Sequence, residues 1–295
     1  MRTLIIGSGF LGCAIATSIT HVGGSPILAS RRRPQEATAP WTALDATDRN
    51  SCTRAIEDTR PDAIVLVHGP SDVTWCEDNP DRAAQLHTAA ATNIIASAPG
   101  CRTVLISTDN VFNGRTWDNH ETSVPDPANA YGRAKLLAEE IIGAAPAASI
   151  LRVSLVYGWE RDEPDSKWLN FFASCAHRLR QGQPVQAPED QWTTPVLVDD
   201  FAAVTVAALG TNTPALLHLG GPQRISRADW AEIIADGLGV PKSLVARIRK
   251  AASRYASRPA NTCLTSTLLD RFTATRGLHV RSVTAGTAAL TQATP

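Results

Sequence analysis

Tyr131 and Lys135, in the run Tyr131-Gly132-Arg133-Ala134-Lys135, are the side chains of this sequence best suited by type and spacing to move a proton. Four residues apart, they share one face of a helix about one turn from each other. A phenol is a poor acid or base at neutral pH, with a reference pKa of ~10, and a neighbouring ammonium lowers that value by favouring the phenolate. The expected chemistry is proton transfer by Tyr131, tuned by Lys135. Upstream, Ser107-Thr108-Asp109-Asn110-Val111-Phe112 closes an aliphatic run, and the carboxyl end of a strand is where open α/β sheets meet ligands. Thr108 is expected to orient a carbonyl. A tyrosine and lysine at this spacing are more often an exposed helix pair, so the assignment depends on what precedes them.

What precedes them is Gly7-Ser8-Gly9-Phe10-Leu11-Gly12, directly after an aliphatic run and at the start of an Ala-rich one. Glycines in that strand-to-helix context let the backbone approach a pyrophosphate at a helix N-terminus, so a dinucleotide is expected here rather than a plain turn. At the end of the second expected strand, a site for NAD would carry an acid for the ribose 2′-hydroxyl. This chain reads Ser30-Arg31-Arg32-Arg33 instead, and cationic donors suit a 2′-phosphate, so NADPH/NADP is the expected cofactor. The plainer reading of that run is a solvated basic loop. Asp45, in Asp45-Ala46-Thr47-Asp48, can meet the adenine edge or simply cap a helix. The cofactor contacts expected are Gly7, Gly9, Phe10, Leu11, Gly12, Ser30, Arg31, Arg32, Asp45, His68 and Lys135.

These residues need a scaffold that alternates strand and helix, and the first half supplies that pattern. Short aliphatic runs at Thr3-Ile6, Pro26-Ala29, Ala63-His68, Thr103-Ser107 and Ser149-Val153 read as strands. Leu11 to Thr20, Asp81 to Ser97 and Tyr131 to Gly143 carry apolar residues at helical spacing. The fold class is α/β, a Rossmann-type doubly wound parallel sheet with a smaller C-terminal substrate-binding lobe. Residues 1–157 are expected to form the nucleotide-binding domain, with the chain crossing back from the later half. Residues 158–295 form mainly the lobe, with helices at Ser166-Arg180 and Ser226-Leu238. No Gly/Ser-rich or charged spacer separates the two, so a shared interface is expected.

Composition removes several function classes. Lys plus Arg equals Asp plus Glu at 28 each, which leaves no global positive field for nucleic acid or anionic lipid. No window approaches the ~20 apolar residues of a membrane span. The six cysteines are far apart and form no CxxC or Cys/His cluster, so they read as reduced thiols and no metal is assigned. Leu11-Gly12-Cys13 imitates a lipoprotein cleavage box, but a lone Arg2 and a run broken by Gly7 and Gly9 do not make a signal segment. A cytoplasmic location is expected.

The whole chain resembles the extended short-chain dehydrogenases, and within them the dTDP-4-dehydrorhamnose reductase group. The likeness rests on Ser107-Thr108-Asp109, Val111-Phe112, Gly114, Glu121, Pro125 and Asn129 leading into Tyr131 and Lys135. It continues through Arg152 to Gly158, Asn170-Phe171, Asp190-Gln191, Pro195, Arg258-Pro259, Asn261 and Leu264. The resemblance implies hydride transfer from NADPH to the keto carbon, C4, of a nucleotide-linked deoxysugar, with Tyr131 as acid, Lys135 as its tuner and Thr108 as carbonyl anchor. It further implies substrate contacts from Asp109, Val111, Asn170, Trp192, Arg258 and Asn261, with Arg258 facing a diphosphate by charge-assisted bonds; a turn-forming surface pair is the plainer reading of Arg258-Pro259. Related enzymes commonly dimerise, so a homodimer is a further expectation.

Some residues depart from the group's pattern. The glycine turn is one residue shorter than the usual GxxGxxG. Asn110 stands where the group shows Tyr, and His87 where a helix Asn supports a proton relay; His87 reads as a polar contact or a satisfied buried histidine. Two other readings keep the fold. An epimerase or dehydratase is opposed by Arg31 to Arg33 and by the lack of a Glu after Asp109. A non-catalytic NADP-binding regulatory subunit is opposed by the intact Thr108, Tyr131 and Lys135 set.

Overall fold

The computed structural model describes residues 1–34, 39–160, 169–253 and 255–293. The chain opens with β1 (Arg2–Ile6), α1 (Phe10–His21), β2 (Ser25–Ser30), β3 (Trp41–Ala43), α2 (Arg49–Thr59) and β4 (Ala63–Leu66). It continues with α3 (Val73–Asp78), α4 (Pro80–Ser97), β5 (Arg102–Thr108), α5 (Ala130–Gly143) and β6 (Ala148–Val153). The second half carries β7 (Val156–Tyr157), α6 (Phe171–Arg180), β8 (Val185–Pro188), β9 (Trp192–Thr193), β10 (Val196–Leu197) and α7 (Val198–Ala208). These are followed by β11 (Leu216–Leu219), β12 (Ile225–Ser226), α8 (Arg227–Gly237), β13 (Val245–Ile248), α9 (Leu269–Ala274) and α10 (Val283–Gln292). The five expected strands and the helices after them are present, and residues 166–168 of the helix expected at Ser166-Arg180 lie outside the described residues.

Seven strands form one sheet in the order β11-β6-β5-β4-β1-β2-β3, every pair parallel. The period-two alternation of strands sorts their side chains to two faces. Ile5, Val65, Val104 and Ile106 pack with Ile15 and Ile19 of α1 and Phe201 and Val204 of α7. Leu4, Ile6, Ile64, Leu66 and Leu105 pack on the other face with Ala90, Ala91 and Ile94 of α4 and Ala138 and Ile142 of α5. Both faces are covered, so these strands read as continuous aliphatic runs. Strand order reverses at β1, and the loops after β1, β4 and β5 therefore open one crevice at the carboxyl edge of the sheet.

Helix starts follow local chemistry. Asp48 caps α2 by accepting from the amides of Asn50 and Ser51, and Asn129 caps α5 by accepting from Gly132. α4 begins on Pro80, whose fixed backbone suits a first helical position, with Asp81 favourable at the dipole's positive end. The later half returns to the main sheet, where β11 pairs with β6 and Leu269, Phe272 and Val280 join the α1 face. A separate cluster, built on Tyr157, Phe171, Phe172, Ile225, Trp230, Ile234 and Tyr255, forms the core of the remaining residues. Three two-stranded ribbons, β7 with β10, β9 with β12 and β8 with β13, tie these residues together.

Candidate active site

The glycine turn is shaped by contact. Gly7 has φ of +120°, and a Cβ on Gly12 would stand 1.9 Å from the Gly7 carbonyl oxygen, so α1 can lie this close to β1 only with glycine at that position. Gly9 is the N-cap of α1, without a side-chain cap or an acid in the first turn, and the space beside it is open, with nothing within 4 Å of where a Cβ would be. An uncapped positive helix end facing open space fits a pyrophosphate.

At the end of β2, the Ser30 hydroxyl accepts from Ser8 at 2.7 Å and from Trp41 Nε1 at 2.9 Å, and donates to the Arg32 carbonyl at 2.7 Å. Its role in this structure is to shape the turn rather than to offer a free hydroxyl. Arg31 and Arg32 are exposed. Asp45 accepts from both the amide and the hydroxyl of Thr47, at 2.9 and 2.7 Å. Those two bonds, with help from the charges of Arg31 and His68, hold its carboxyl below the usual range despite some burial. Ser30, Arg31, Asp45 and His68 are thus brought to the same crevice edge as the glycine turn.

Thr108 ends β5 and begins a short 3-10 turn. Its Oγ1 accepts from the Asn110 amide at 3.1 Å and from Asn110 Nδ2 at 3.3 Å. Asn110 Oδ1 accepts from Asn129 Nδ2 at 3.0 Å, so the residue that replaces the group's usual Tyr links the cap of α5 to Thr108. The helix then places Tyr131 where the Thr108 hydroxyl acts on its phenol. Lys135, one turn on, is buried at 3% exposure and donates to the Ile106 carbonyl at 2.5 Å.

Charge tuning differs from the expectation of a lysine-lowered phenol. Burial raises the Tyr131 pKa above its ordinary value of 10, the charges of Asp109 and Cys76 push the same way, and only the Thr108 hydrogen bond pulls it back. The lysine is itself lowered from 10.5 to about 8 by burial, against the opposing field of Glu139. Tyr131 is therefore a firmly protonated phenol at neutral pH, ready to donate.

Behind this pair lies a buried polar network. Glu139 receives Arg152 through Nε at 3.1 Å and a second guanidinium nitrogen at 2.7 Å, and it also accepts from Ser107. Arg152 reaches on to His218 at 3.4 Å. His87 on α4 is 3% exposed, meets the Pro70 carbonyl at 3.2 Å and sets its ring edge-on to Tyr131 with centroids 6.1 Å apart. Burial, followed by the Lys135 charge, lowers its pKa from 6.5 to about 3, so the imidazole is neutral and donates.

The substrate residues expected from the sequence separate into two kinds. Asp109 lies beside Thr108, accepts from Ser154 at 3.2 Å and Asn110 at 2.8 Å, and burial raises its carboxyl to about 6. Trp192 meets Trp117 edge-on at 6.0 Å, and Arg258 lies 5.1 Å over the Tyr255 ring. By contrast, Val111 is fully buried against Phe112 and Leu264 and presents no side-chain surface to a ligand. Asn170 uses its amide to cap α6 and to donate to the Gly158 carbonyl at 2.9 Å and to Glu160 at 2.7 Å. Asn261 donates to the Thr116 carbonyl at 2.6 Å and accepts from the Cys263 amide at 3.0 Å. These three hold the walls together because hydrogen bonding or packing consumes their side chains. Glu139, Ser154 and Arg227 escaped the sequence reading, since only tertiary contact reveals them.

A seven-stranded parallel Rossmann sheet with a glycine turn after its first strand and a Tyr-x-x-x-Lys helix after β5 defines an extended short-chain dehydrogenase. The sequence matches the family model described as the RmlD substrate binding domain over residues 1–292, and the chain belongs to that family. Among its relatives, it is 27% identical to a probable low-salt glycan biosynthesis reductase of Haloferax volcanii, over 90% of this chain and 89% of that protein. It is 28% identical to methionine adenosyltransferase 2 subunit beta of Bos taurus, over 91% of this chain and 81% of that protein. In fold it is similar to dTDP-4-dehydrorhamnose reductase of Bacillus anthracis in complex with NADP, with a TM-score of 0.80, 21% identity and 99% of each chain covered.

Proposed function

We propose that this protein reduces the keto group, at C4, of a nucleotide-linked deoxysugar with NADPH. The observation that carries the reading is the meeting of Thr108, the protonated Tyr131 phenol and the buried Lys135 at the crevice that the glycine turn opens. NADPH, when bound, supplies the hydride. The fit of the residues supports it: open space at the uncapped start of α1 suits the pyrophosphate, and exposed Arg31 and Arg32 suit a 2′-phosphate.

Thr108 donates to the carbonyl oxygen and holds it beside Tyr131. As negative charge develops on that oxygen, the phenol hands over its proton, which is general acid catalysis with the proton already in place. A phenol held above its ordinary pKa remains protonated until an alkoxide, a stronger base, appears. Lys135 carries a positive charge below about pH 8 and stabilises the phenolate that is left. Asp109, buried beside the same oxygen site, is shielded by Ser154 and Asn110 and orders the strand end.

The likeness to a methionine adenosyltransferase subunit supports a second reading, an NADP-binding regulatory subunit without turnover. Incubation of the purified protein with NADPH and dTDP-4-keto-6-deoxyglucose separates the two, because a reductase consumes NADPH at 340 nm. Tyr131→Phe should abolish that consumption while keeping the NADPH-induced rise in Tm, since only the proton donor is removed. Retention of most activity by the variant would remove Tyr131 from its role.

A further inference from the structure

Trp41 carries one polar atom, and the fold turns it toward the cofactor crevice. The residue opens β3, the three-residue edge strand of the sheet, where its register partner is Leu28. The indole packs, partly buried, against the α1 face of the core. Its Nε1 reaches past Leu28 to the carboxyl end of the neighbouring strand and donates to the Ser30 hydroxyl at 2.9 Å. Ser30 is the last residue of β2 and leads directly into Arg31 and Arg32.

The directions of the bonds at that hydroxyl follow from the donors and acceptors around it. A serine hydroxyl has one proton and two lone pairs, and an indole N–H only donates. The Arg32 carbonyl, at 2.7 Å, only accepts, so it takes the single Ser30 proton. The Ser8 hydroxyl at 2.7 Å must then donate, and together with Trp41 it fills both lone pairs. One oxygen thus joins the glycine turn, the edge strand and the arginine turn, with no bonding capacity left over. The flanking backbone is held separately, since the Leu28 amide donates to the Pro40 carbonyl at 2.8 Å and the Leu44 amide to the Ser30 carbonyl at 3.0 Å. Those bonds end at Ser30, and the path of the chain beyond it is closed by the bond to the Arg32 carbonyl. The side chains of Arg31 and Arg32 are exposed, so the backbone that carries them is what the protein fixes.

We propose that Trp41 is a cofactor-selecting residue: its indole N–H, acting through Ser30, holds the turn of residues 30–32 in the shape that meets the 2′-phosphate of NADPH. It is a positioning residue, and the proposal rests on the reading of Arg31 and Arg32 as contacts of that phosphate. Without the indole donor one Ser30 lone pair is empty, and the hydroxyl is free to rotate away from the Arg32 carbonyl. The turn then loses the order it otherwise has before the cofactor arrives, and ordering it on binding weakens affinity. NADH has no 2′-phosphate and gains nothing from the turn. The contribution of Trp41 therefore falls on the ratio of the two affinities and not on the part they share.

The test measures dissociation constants of the full chain for NADPH and for NADH by nicotinamide fluorescence, in the wild type, Trp41→Phe, Ser30→Ala and the double variant. Trp41→Phe should raise the NADPH constant on the order of 3- to 10-fold, as expected for one hydrogen bond, and leave the NADH constant unchanged. Ser30→Ala should change the ratio at least as much. The double variant should be no worse than Ser30→Ala alone, because both substitutions act through one oxygen. An unchanged ratio in Trp41→Phe would overturn the proposal, and so would equal weakening of both cofactors, which marks general damage to the domain. Additive losses in the double variant would overturn the route through Ser30. Where Trp41→Phe does not fold, Ser30→Ala decides by itself, since it removes a single oxygen and an unchanged ratio there ends the proposal. Arg31→Ala with Arg32→Ala in the same assay separates the proposal from the reading beneath it. A ratio that collapses without the arginines but survives Trp41→Phe ends the proposal alone. A ratio that falls with Trp41→Phe and ignores the arginines ends the arginine reading alone.

Discussion

His87 makes the folded protein sensitive to acid in a way that can be isolated. Its ring lies against Gly69 so closely that a Cβ there would stand 2.0 Å from Cε1, and Lys135 adds a positive field. The unfolded chain takes up the imidazole proton near pH 6.5, whereas the folded chain refuses it until about pH 3. Stability therefore falls as pH drops through that window. Between pH 7 and pH 4 the loss assigned to this one group is about 3 kcal/mol, from the difference in proton binding of the two states. His87→Gln keeps a side-chain amide that can donate to the Pro70 carbonyl and removes the titration. Asp109, raised to about 6 by burial, stabilises in the opposite sense over part of the range, but it does so in both proteins and cancels. Urea unfolding at pH 7 and pH 4 should show the wild type losing about 3 kcal/mol more than the variant, whatever the variant loses at pH 7 through missing ring contacts. Parallel pH dependence in the two proteins would refute the claim that this imidazole is held neutral.

The glycine turn offers a matched pair. Gly12→Ala drives a methyl into the Gly7 carbonyl at 1.9 Å and should cost at least about 1–3 kcal/mol of stability, read by thermal unfolding. Gly9→Ala places its methyl in open space and should cost under about 1 kcal/mol while reducing the Tm gain from NADPH, because that space is the proposed path of the pyrophosphate. Arg31→Ala with Arg32→Ala should weaken NADPH far more than NADH in titrations of cofactor fluorescence, and equal weakening of both would mean that these arginines do not read the 2′-phosphate.

Much of the fold was legible because its signals are local. Aliphatic runs that alternate between two packed helical layers, a glycine turn at a strand end and Asn129 before an Ala-rich helix are written in consecutive residues. The short strands β7, β9, β10 and β12 were not legible, since two-residue ribbons have no periodicity to detect. The return of β11 to the main sheet depends on pairing with β6, far away in sequence. At the site, residue types at the right spacing indicated Thr108, Tyr131 and Lys135. Whether a polar side chain is free to meet a ligand was hidden, and the already engaged amides of Asn170 and Asn261 illustrate why. Each is spent on partners that only the folded chain brings near.

The direction of tuning was equally invisible, and its cause lies in a carboxylate behind the motif. A lysine lowers a phenol's pKa when its charge is close and the phenol is solvated, but here Lys135 is buried, Tyr131 is partly buried and desolvation dominates each. Lys135 keeps its proton to about pH 8 because Glu139, one turn further along α5, opposes the burial, and the strength of that support depends on Arg152, which occupies both carboxylate oxygens. The same carboxylate accepts from Ser107, the residue before Thr108. One buried acid thus fixes the end of β5, anchors β6 and supports the charge of the ammonium on α5. A change that releases Arg152 from Glu139 disturbs the carbonyl anchor and the lysine together, and so the site behaves as a single unit rather than as three independent residues.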